Sequence, residues 1–171
     1  MPVARTSSSS PLPPSAAVVF TDGACEGNPG PGGYGVVLLY GGHRKELSAG
    51  FRLTTNNRME LLAVIVGLRS LKERCSVTIY CDSQYVVNAI EKGWAARWRD
   101  NGWKRNKKEK AINADLWAEL LGLCEKHEVK MVWVRGHSGV TENERCDELS
   151  VEAANQRELA IDIGYEKTPD R

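Results

Sequence analysis

The chain lacks any long apolar run. Its longest, Leu61 to Val66 followed by Gly67 and Leu68, is far too short to cross a bilayer, so no membrane partner is expected. It lacks a basic start leading into an apolar stretch, and no secretory leader is expected. It lacks a C-x-x-C pair: the five cysteines (Cys25, Cys75, Cys81, Cys124, Cys146) are odd in number and scattered. That pattern argues against a disulfide framework or a zinc site and for reduced thiols in the cytoplasm. It also lacks an excess of either charge, with 23 Lys+Arg against 22 Asp+Glu, a formal net charge of +1. Taken whole, that balance argues against a nucleic-acid partner. What is present is ordinary: 171 residues, 42% hydrophobic and 26% charged, match one globular domain long enough to bury a core.

The balance is a cancellation, because charge acts locally. Gly93 to Lys110 holds seven basic residues, Arg97, Arg99, Lys104, Arg105, Lys107, Lys108 and Lys110, against Asp100 and Glu109, a local +5. The other 153 residues hold 16 basic and 20 acidic groups, or −4.

Met1 to Ser15, with Ser7 to Ser10 and Pro11, Pro13 and Pro14, offers no face to pack and reads as a disordered tail. Its single arginine makes a mitochondrial presequence a weak alternative. Residues from about Gly164 to Arg171 read as a second loose end. Between them, in a single domain without internal repeat (16–163), Ala17 to Thr21 is a strand ending at Asp22-Gly23. A Gly/Pro loop, Gly27 to Gly33, precedes a strand from Tyr34 to Tyr40, and Gly41-Gly42 turns into a third strand, about Arg44 to Leu53. Asn57 to Glu73 is apolar almost all round, as a buried helix is. Val77 to Asp82 is a strand, after which Ser83 caps a helix to about Glu91. After the basic segment, Asn113 caps a helix to about His127, Val129 to Val134 is the last strand, and Thr141 with Glu144 forms a capping box on a final helix. Three strands followed by helical crossovers predict an α/β fold with a five-stranded mixed sheet. Strands one to three form an antiparallel meander, and right-handed crossovers add four and five in parallel.

Four carboxylates stand at strand ends and helix starts: Asp22, Glu60, Asp82 and Asp147. If the first and fourth strands are parallel neighbours, Asp22 and Asp82 share one sheet edge, and packed helices could bring Glu60 and Asp147 to it. Such a cluster would take up protons unless a cation neutralised it. With no Cys or His cluster to offer soft ligands, that cation would be Mg²⁺ or Mn²⁺. Two such ions would support an attacking water and a leaving oxygen at a phosphodiester. Singly, each acid also has an ordinary use: a turn at Asp22-Gly23, a cap partner at Glu60, a strand end at Asp82, a solvated helix charge at Asp147. Only their joint placement favours chemistry.

Four strings carry one acid each, in order: TDGACEGNPGPGGYG (Thr21 to Gly35), TTNNRMEL (Thr54 to Leu61), CDSQYV (Cys81 to Val86) and GHSGVTENERCDELS (Gly136 to Ser150). Together they resemble the bacterial type of ribonuclease H, type 1, over roughly Ala17 to Asn155. The resemblance implies a ribonuclease H-like fold with helices on both faces of the sheet. It implies hydrolysis of the RNA strand of RNA–DNA hybrids, with two Mg²⁺ ions (or Mn²⁺) held by the four acids and Asp22 bridging them. Nothing in the sequence requires an oligomer, so a monomer is the default. The resemblance makes His137, in a Gly-flanked loop, a proton-handling group, as suits imidazole. Val140 and Thr141 stand where the best-known bacterial members carry a second histidine and a proline.

The resemblance further implies that Asn28, Asn56 and Gln84, with the backbone near Cys25, read 2′-hydroxyls in the shallow minor groove of a hybrid. Thr55 and Asn57 would take a DNA phosphate. Asn28-Pro29-Gly30 is also turn chemistry and Asn57 also a helix cap. The +5 segment corresponds to the family's basic protrusion, where Trp94, Trp98 and Trp103 lie among Lys104, Arg105, Lys107 and Lys108 to pack on sugars and contact phosphates. Trp94 and Trp98, four apart, also suit anchoring to the core, to which Trp117 and Trp133 are assigned. Two other readings stay open. One is a catalytically silent hybrid-binding module, which would gain nothing from four acids beside phosphate; the other is a DNA nuclease or recombinase of the same fold.

Overall fold

A computed structural model describes residues 16–136 and 139–167. The proposed N-terminal tail, Met1 to Ser15, and His137 lie outside the described residues. The sheet has five strands in the order β3-β2-β1-β4-β5. They are β1 (Ala16–Cys25), β2 (Gly30–Tyr40), β3 (His43–Thr54), β4 (Ser76–Cys81) and β5 (Glu128–Trp133). β1, β2 and β3 form the antiparallel meander, and β4 and β5 run parallel to β1. The helices are α1 (Asn56–Arg69), α2 (Gln84–Glu91), α3 (Trp94–Asp100), α4 (Ala114–Lys126), α5 (Thr141–Ala154) and α6 (Ile163–Glu166). Among the described residues no helix is long and apolar enough to cross a membrane.

The continuous apolar run of β2 follows from burial on both faces. Val36 and Val37, adjacent and so pointing oppositely, are both fully buried. Val36 sits in the main core beneath α1, close to Gly67. Val37 joins Cys146 and Leu149 of α5 on the other face. Helices therefore cover both faces. α5 lies so close to the sheet that a Cβ at Gly35 would stand 2.3 Å from the Cys146 carbonyl and one at Gly50 2.0 Å from that of Ala153. Gly35 of β2 and Gly50 of β3 are thus contact residues for a helix. The sequence reading made a loop of Gly27 to Gly33, but β2 already begins at Gly30, because the turn closes tightly, with Glu26 N–H donating to Pro31 O at 2.8 Å.

Several expected caps differ. The cap of α1 is Thr55, whose Oγ1 accepts from Arg58 N–H at 3.3 Å, so Asn57 is a helical residue rather than a cap. Ser83 caps α2 as expected, accepting from Val86 N–H at 3.2 Å. Asn113 holds the cap position of α4 in a left-handed conformation without capping it, because its Oδ1 is taken by the Arg58 guanidinium at 3.2 Å. Thr141 and Glu144 form no capping box: Val140 is the cap residue and provides no side-chain bond. α3 was not anticipated, since its stretch reads as charged; Ala95 is its one buried residue, with Trp94 and Trp98 packed partly against the core.

Residues 164–167 are not loose. A segment beyond α5 runs along the outer edge of β3, Arg52 N–H donating to Ala160 O at 2.9 Å and Ala160 N–H to Gly50 O at 3.1 Å. It covers an otherwise open strand edge. Asp162 then enters the interior, accepting from Arg58 Nε at 2.7 Å, Arg58 Nη2 at 3.0 Å and Thr54 Oγ1 at 2.7 Å, and caps α6 through Tyr165 N–H. Arg58 also reaches Asp115 at the start of α4. One buried guanidinium therefore ties the start of α1 to α4 and to the C-terminal segment.

Candidate active site

The parallel pairing of β1 with β4 ends at Thr21↔Cys81, which sets Asp22 and Asp82 side by side one residue beyond it. Asp22 does not end its strand: β1 continues to Cys25 against β2, with Asp22 opposite Gly35. Gly23 is likewise a strand residue, not a turn. A Cβ on it would stand 2.6 Å from Glu60 N and 2.7 Å from the Met59 carbonyl carbon. The missing side chain lets the first turns of α1 lie against β1 and delivers Glu60 to Asp22.

Carboxylate oxygens of Asp22, Glu60 and Asp82 lie within 4.8 Å of one another. Asp22 and Glu60 are buried, Asp82 partly so. Asp22 accepts from Gly23 N–H at 2.8 Å. Burial, more than anything else, pushes the Asp22 carboxyl up to about 8, reinforced by Asp82 and Asp147 and opposed by that N–H. Burial likewise raises Glu60 well above the usual carboxylate range, with Asp22 and Asp82 adding to it. Glu60 Oε1 is buried with no hydrogen-bond partner. An all-oxygen donor set that resists ionisation, with an orphaned buried oxygen, fits a hard divalent cation.

Asp147, on α5, stands outside that trio but against it: it lines a small cleft of ≈ 10 Å³ together with Thr21, Asp22, Asp82, Arg135, Gly136, Asn143 and Glu144. That is about the space of one water. The structure thus brings all four predicted acids to one sheet edge, three tightly and Asp147 at the rim. Arg135, Asn143 and Glu144 were not anticipated. Asn143 and Glu144 precede Asp147 by four and three residues, the helical spacing that puts them on its face, so the signal was present.

The predicted polar reading residues gather on one side of this cluster. Asn28 Oδ1 accepts from Asn56 N–H at 2.8 Å, joining the β1–β2 turn to the start of α1. Cys25 Sγ donates to Thr54 O at 3.4 Å and to Gly30 O at 3.5 Å, in the same corner. Thr55 is partly buried as the α1 cap, Asn57 is exposed one turn before Glu60, and Gln84 is exposed at the first residue of α2, two after Asp82.

The basic segment is α3 followed by a loop closed by a Lys104↔Lys110 bridge. Its tryptophans face inward more than outward: Trp98 meets Trp117 edge-on at 5.7 Å, Tyr85 touches both, and Trp103 packs against the same core. Trp94 and Trp98 also line an open groove of ≈ 600 Å³ with Arg97, Asp100, Asn101, Lys104 and Arg105. Lys104, Lys107 and Lys108 are exposed, whereas Arg105 pairs with Glu109 at 2.9 Å. Trp117 is fully buried, as expected. Trp133 is not a core residue: it is 44% exposed, at the last residue of edge strand β5.

The family model described as RNase H matches residues 14–155. A ribonuclease H of Desulforamulus reducens is 72% identical over 145 residues, 85% of this chain and 91% of that one. One from Syntrophus aciditrophicus is 67% identical, over 90% of this chain and 88% of its own. Among solved structures, LC9-RNase H1, described as a type 1 RNase H with the type 2 active-site motif, superposes with a TM-score of 0.73 at 36% identity, covering 85% of this chain and 74% of that one. LC11-RNase H1, solved in complex with an RNA/DNA hybrid, gives 0.62 at 26% identity, covering 81% and 96%. The chain belongs to the ribonuclease H family, type 1, and is a hydrolase.

Proposed function

We propose that this ribonuclease H is an endonuclease that hydrolyses the RNA strand of RNA–DNA hybrids, leaving 5′-phosphate and 3′-hydroxyl ends. The observation that carries the reading is the Asp22–Glu60–Asp82 trio, carboxylate oxygens within 4.8 Å of one another and a buried Glu60 oxygen without a partner, on a chain of this family. Asp22, Glu60, Asp82 and Asp147 would hold two Mg²⁺ ions, or Mn²⁺. Bound there, the ions would offset the phosphate's charge and stabilise the attacking and departing oxygens.

The chain's own residues do the rest. Asn28, Asn56 and Gln84, with the backbone near Cys25, accept or donate to 2′-hydroxyls of the RNA strand. Thr55 and Asn57 hold a phosphate of the DNA strand. The bond between Asn28 and the Asn56 backbone supports the reading, since it fixes two of these groups relative to each other. His137 moves a proton at an imidazole nitrogen. Lys104, Lys107 and Lys108 contact phosphate, with Arg105 joining once released from Glu109, and Trp94, Trp98 and Trp103 hold that platform to the core. Such contacts set register and affinity, not selectivity for a hybrid. The enzyme works as a monomer in the cytoplasm, in keeping with its five free cysteines.

Purified protein with Mg²⁺ is expected to cut the RNA of an end-labelled hybrid and spare single-stranded RNA, duplex RNA and duplex DNA. An intact hybrid would sink the proposed activity, and equal cutting of duplex RNA would sink the selectivity. Replacing Lys104, Lys107 and Lys108 together by Ala should weaken hybrid binding. It should also reduce the slope of log affinity against log salt by about 2 to 3, near one per lost phosphate contact. An unchanged slope would show that these lysines do not touch the backbone.

A further inference from the structure

Each acid of the cluster is held differently. Asp22 lies within the paired region of β1 and β2, opposite Gly35. Glu60 is inside α1, its backbone against Gly23, and Asp147 is inside α5. Asp82 belongs to neither strand nor helix. The β4–β5 pairing ends at Cys81↔Trp133, Val134 N–H donates to Cys81 O at 2.9 Å, and α2 begins only at Gln84. A ligand carboxylate on such a junction needs support from elsewhere to stay placed to a fraction of an ångström.

One short stretch of chain supplies such support. Trp133 Nε1–H donates to the Asp82 carbonyl at 3.1 Å, continuing sideways the ladder that the backbones have just ended. Three residues on, Gly136 faces the other end of the same residue, where an added Cβ would stand 3.0 Å from Asp82 Oδ2. The peptide is thus pinned by an indole and the carboxylate bounded by a backbone. An indole has one donor and no acceptor, so this bond uses all of Trp133's hydrogen-bonding capacity. It also accounts for a tryptophan that is 44% exposed where the sequence placed a core residue.

We propose that Trp133 is a positioning residue that fixes Asp82 for cation binding through its indole N–H. This rests on the reading of Asp82 as a ligand. Trp133→Phe keeps a flat ring and removes the donor. In the free protein it should weaken Mn²⁺ binding about five- to tenfold by titration calorimetry, and in the assay lower kcat about tenfold with the KM for hybrid within twofold. Mn²⁺ affinity within twofold of wild type would overturn the proposal. So would a raised KM with unchanged kcat, the signature of a ring that stacks on the hybrid instead. The intact protein gives a test that no folding defect can cloud: the Trp133 indole N–H resonance should exchange with solvent at least tenfold more slowly than a free indole, despite the exposed ring. Exchange at the free rate would overturn the hydrogen bond itself. Wild-type protein that bound no Mn²⁺ would sink the metal reading, while the exchange rate would still decide whether Trp133 holds Asp82.

Discussion

Asp22→Asn is expected to lower hybrid turnover by about three orders of magnitude, roughly 4 kcal/mol of transition-state stabilisation, while making the metal-free protein more stable. The two effects share one cause. Burial and the neighbouring acids push the Asp22 carboxyl up to about 8 in the folded protein, whereas in an unfolded chain it ionises near its ordinary value, about 4. Between those values the folded state keeps a proton that the unfolded state releases. Stability from this group therefore falls as pH rises through about 4 to about 8. Asparagine cannot ionise, and its Oδ1 can still accept from Gly23 N–H. The variant's advantage should be absent near pH 4 and grow to several degrees in Tm near pH 8. Saturating Mg²⁺ should narrow the gap, because it stabilises only the acid that can bind it. Thermal melts of both proteins across pH, with and without Mg²⁺, check this. A variant no more stable than wild type at pH 8 would show that the cluster is not strained, and one with near wild-type turnover would remove Asp22 from the chemistry.

Asp162→Ala should cost about 3 to 5 kcal/mol of stability, among the largest effects of any substitution remote from the acids. Arg58 is only 3% exposed and depends on Asp162 and Asp115 to compensate its charge, and Asp115 is 47% exposed. Removing Asp162 strands part of a buried guanidinium, takes the acceptor from the buried Thr54 hydroxyl, and uncaps α6. The exposed pair between Arg52, itself 58% exposed, and Glu166 is the internal comparison: Arg52→Gln should change stability by less than about 1 kcal/mol. Urea unfolding of the two variants decides it. Equal, small losses would mean that the buried network is no stronger than a surface pair. Replacing Arg58 and Asp162 together by Met and Leu should recover much of the loss, because no charge is then left buried.

Much of the site was legible because its chemistry is carried by local strings. Each acid sits in a short segment whose turn, cap or strand-end residues are spelled out beside it, and Ser83, Ala17 to Thr21 and the buried helix were all readable from neighbours in the chain. Arg58 was not readable. Nothing near it announces that partners 57 and 104 residues away will bury it. Asn113 failed for a related reason: a cap residue's oxygen goes to the best donor in three dimensions, and here that is Arg58 rather than its own helix. At Thr141 the helix starts one residue earlier, so that Val140 holds the cap position. Trp133 was misplaced in the core because its indole partner, the Asp82 carbonyl, lies 51 residues away in the chain.

The sequence by itself determined the five strands and the four longer helices, the antiparallel meander followed by parallel crossovers, the four candidate acids and the division of charge between an acidic body and a basic arm, because all of these depend on residue type and short-range spacing. Only the tertiary structure decided that Gly23 admits α1 against β1, that Glu60 comes within 4.8 Å of Asp22 and Asp82, and that Asp147 stands at the rim. It alone decided that a C-terminal segment reaches into the interior to hold Arg58. Those outcomes depend on how closely two surfaces can approach and on which distant partner compensates a buried charge. Residue patterns restrict such choices, but packing makes them.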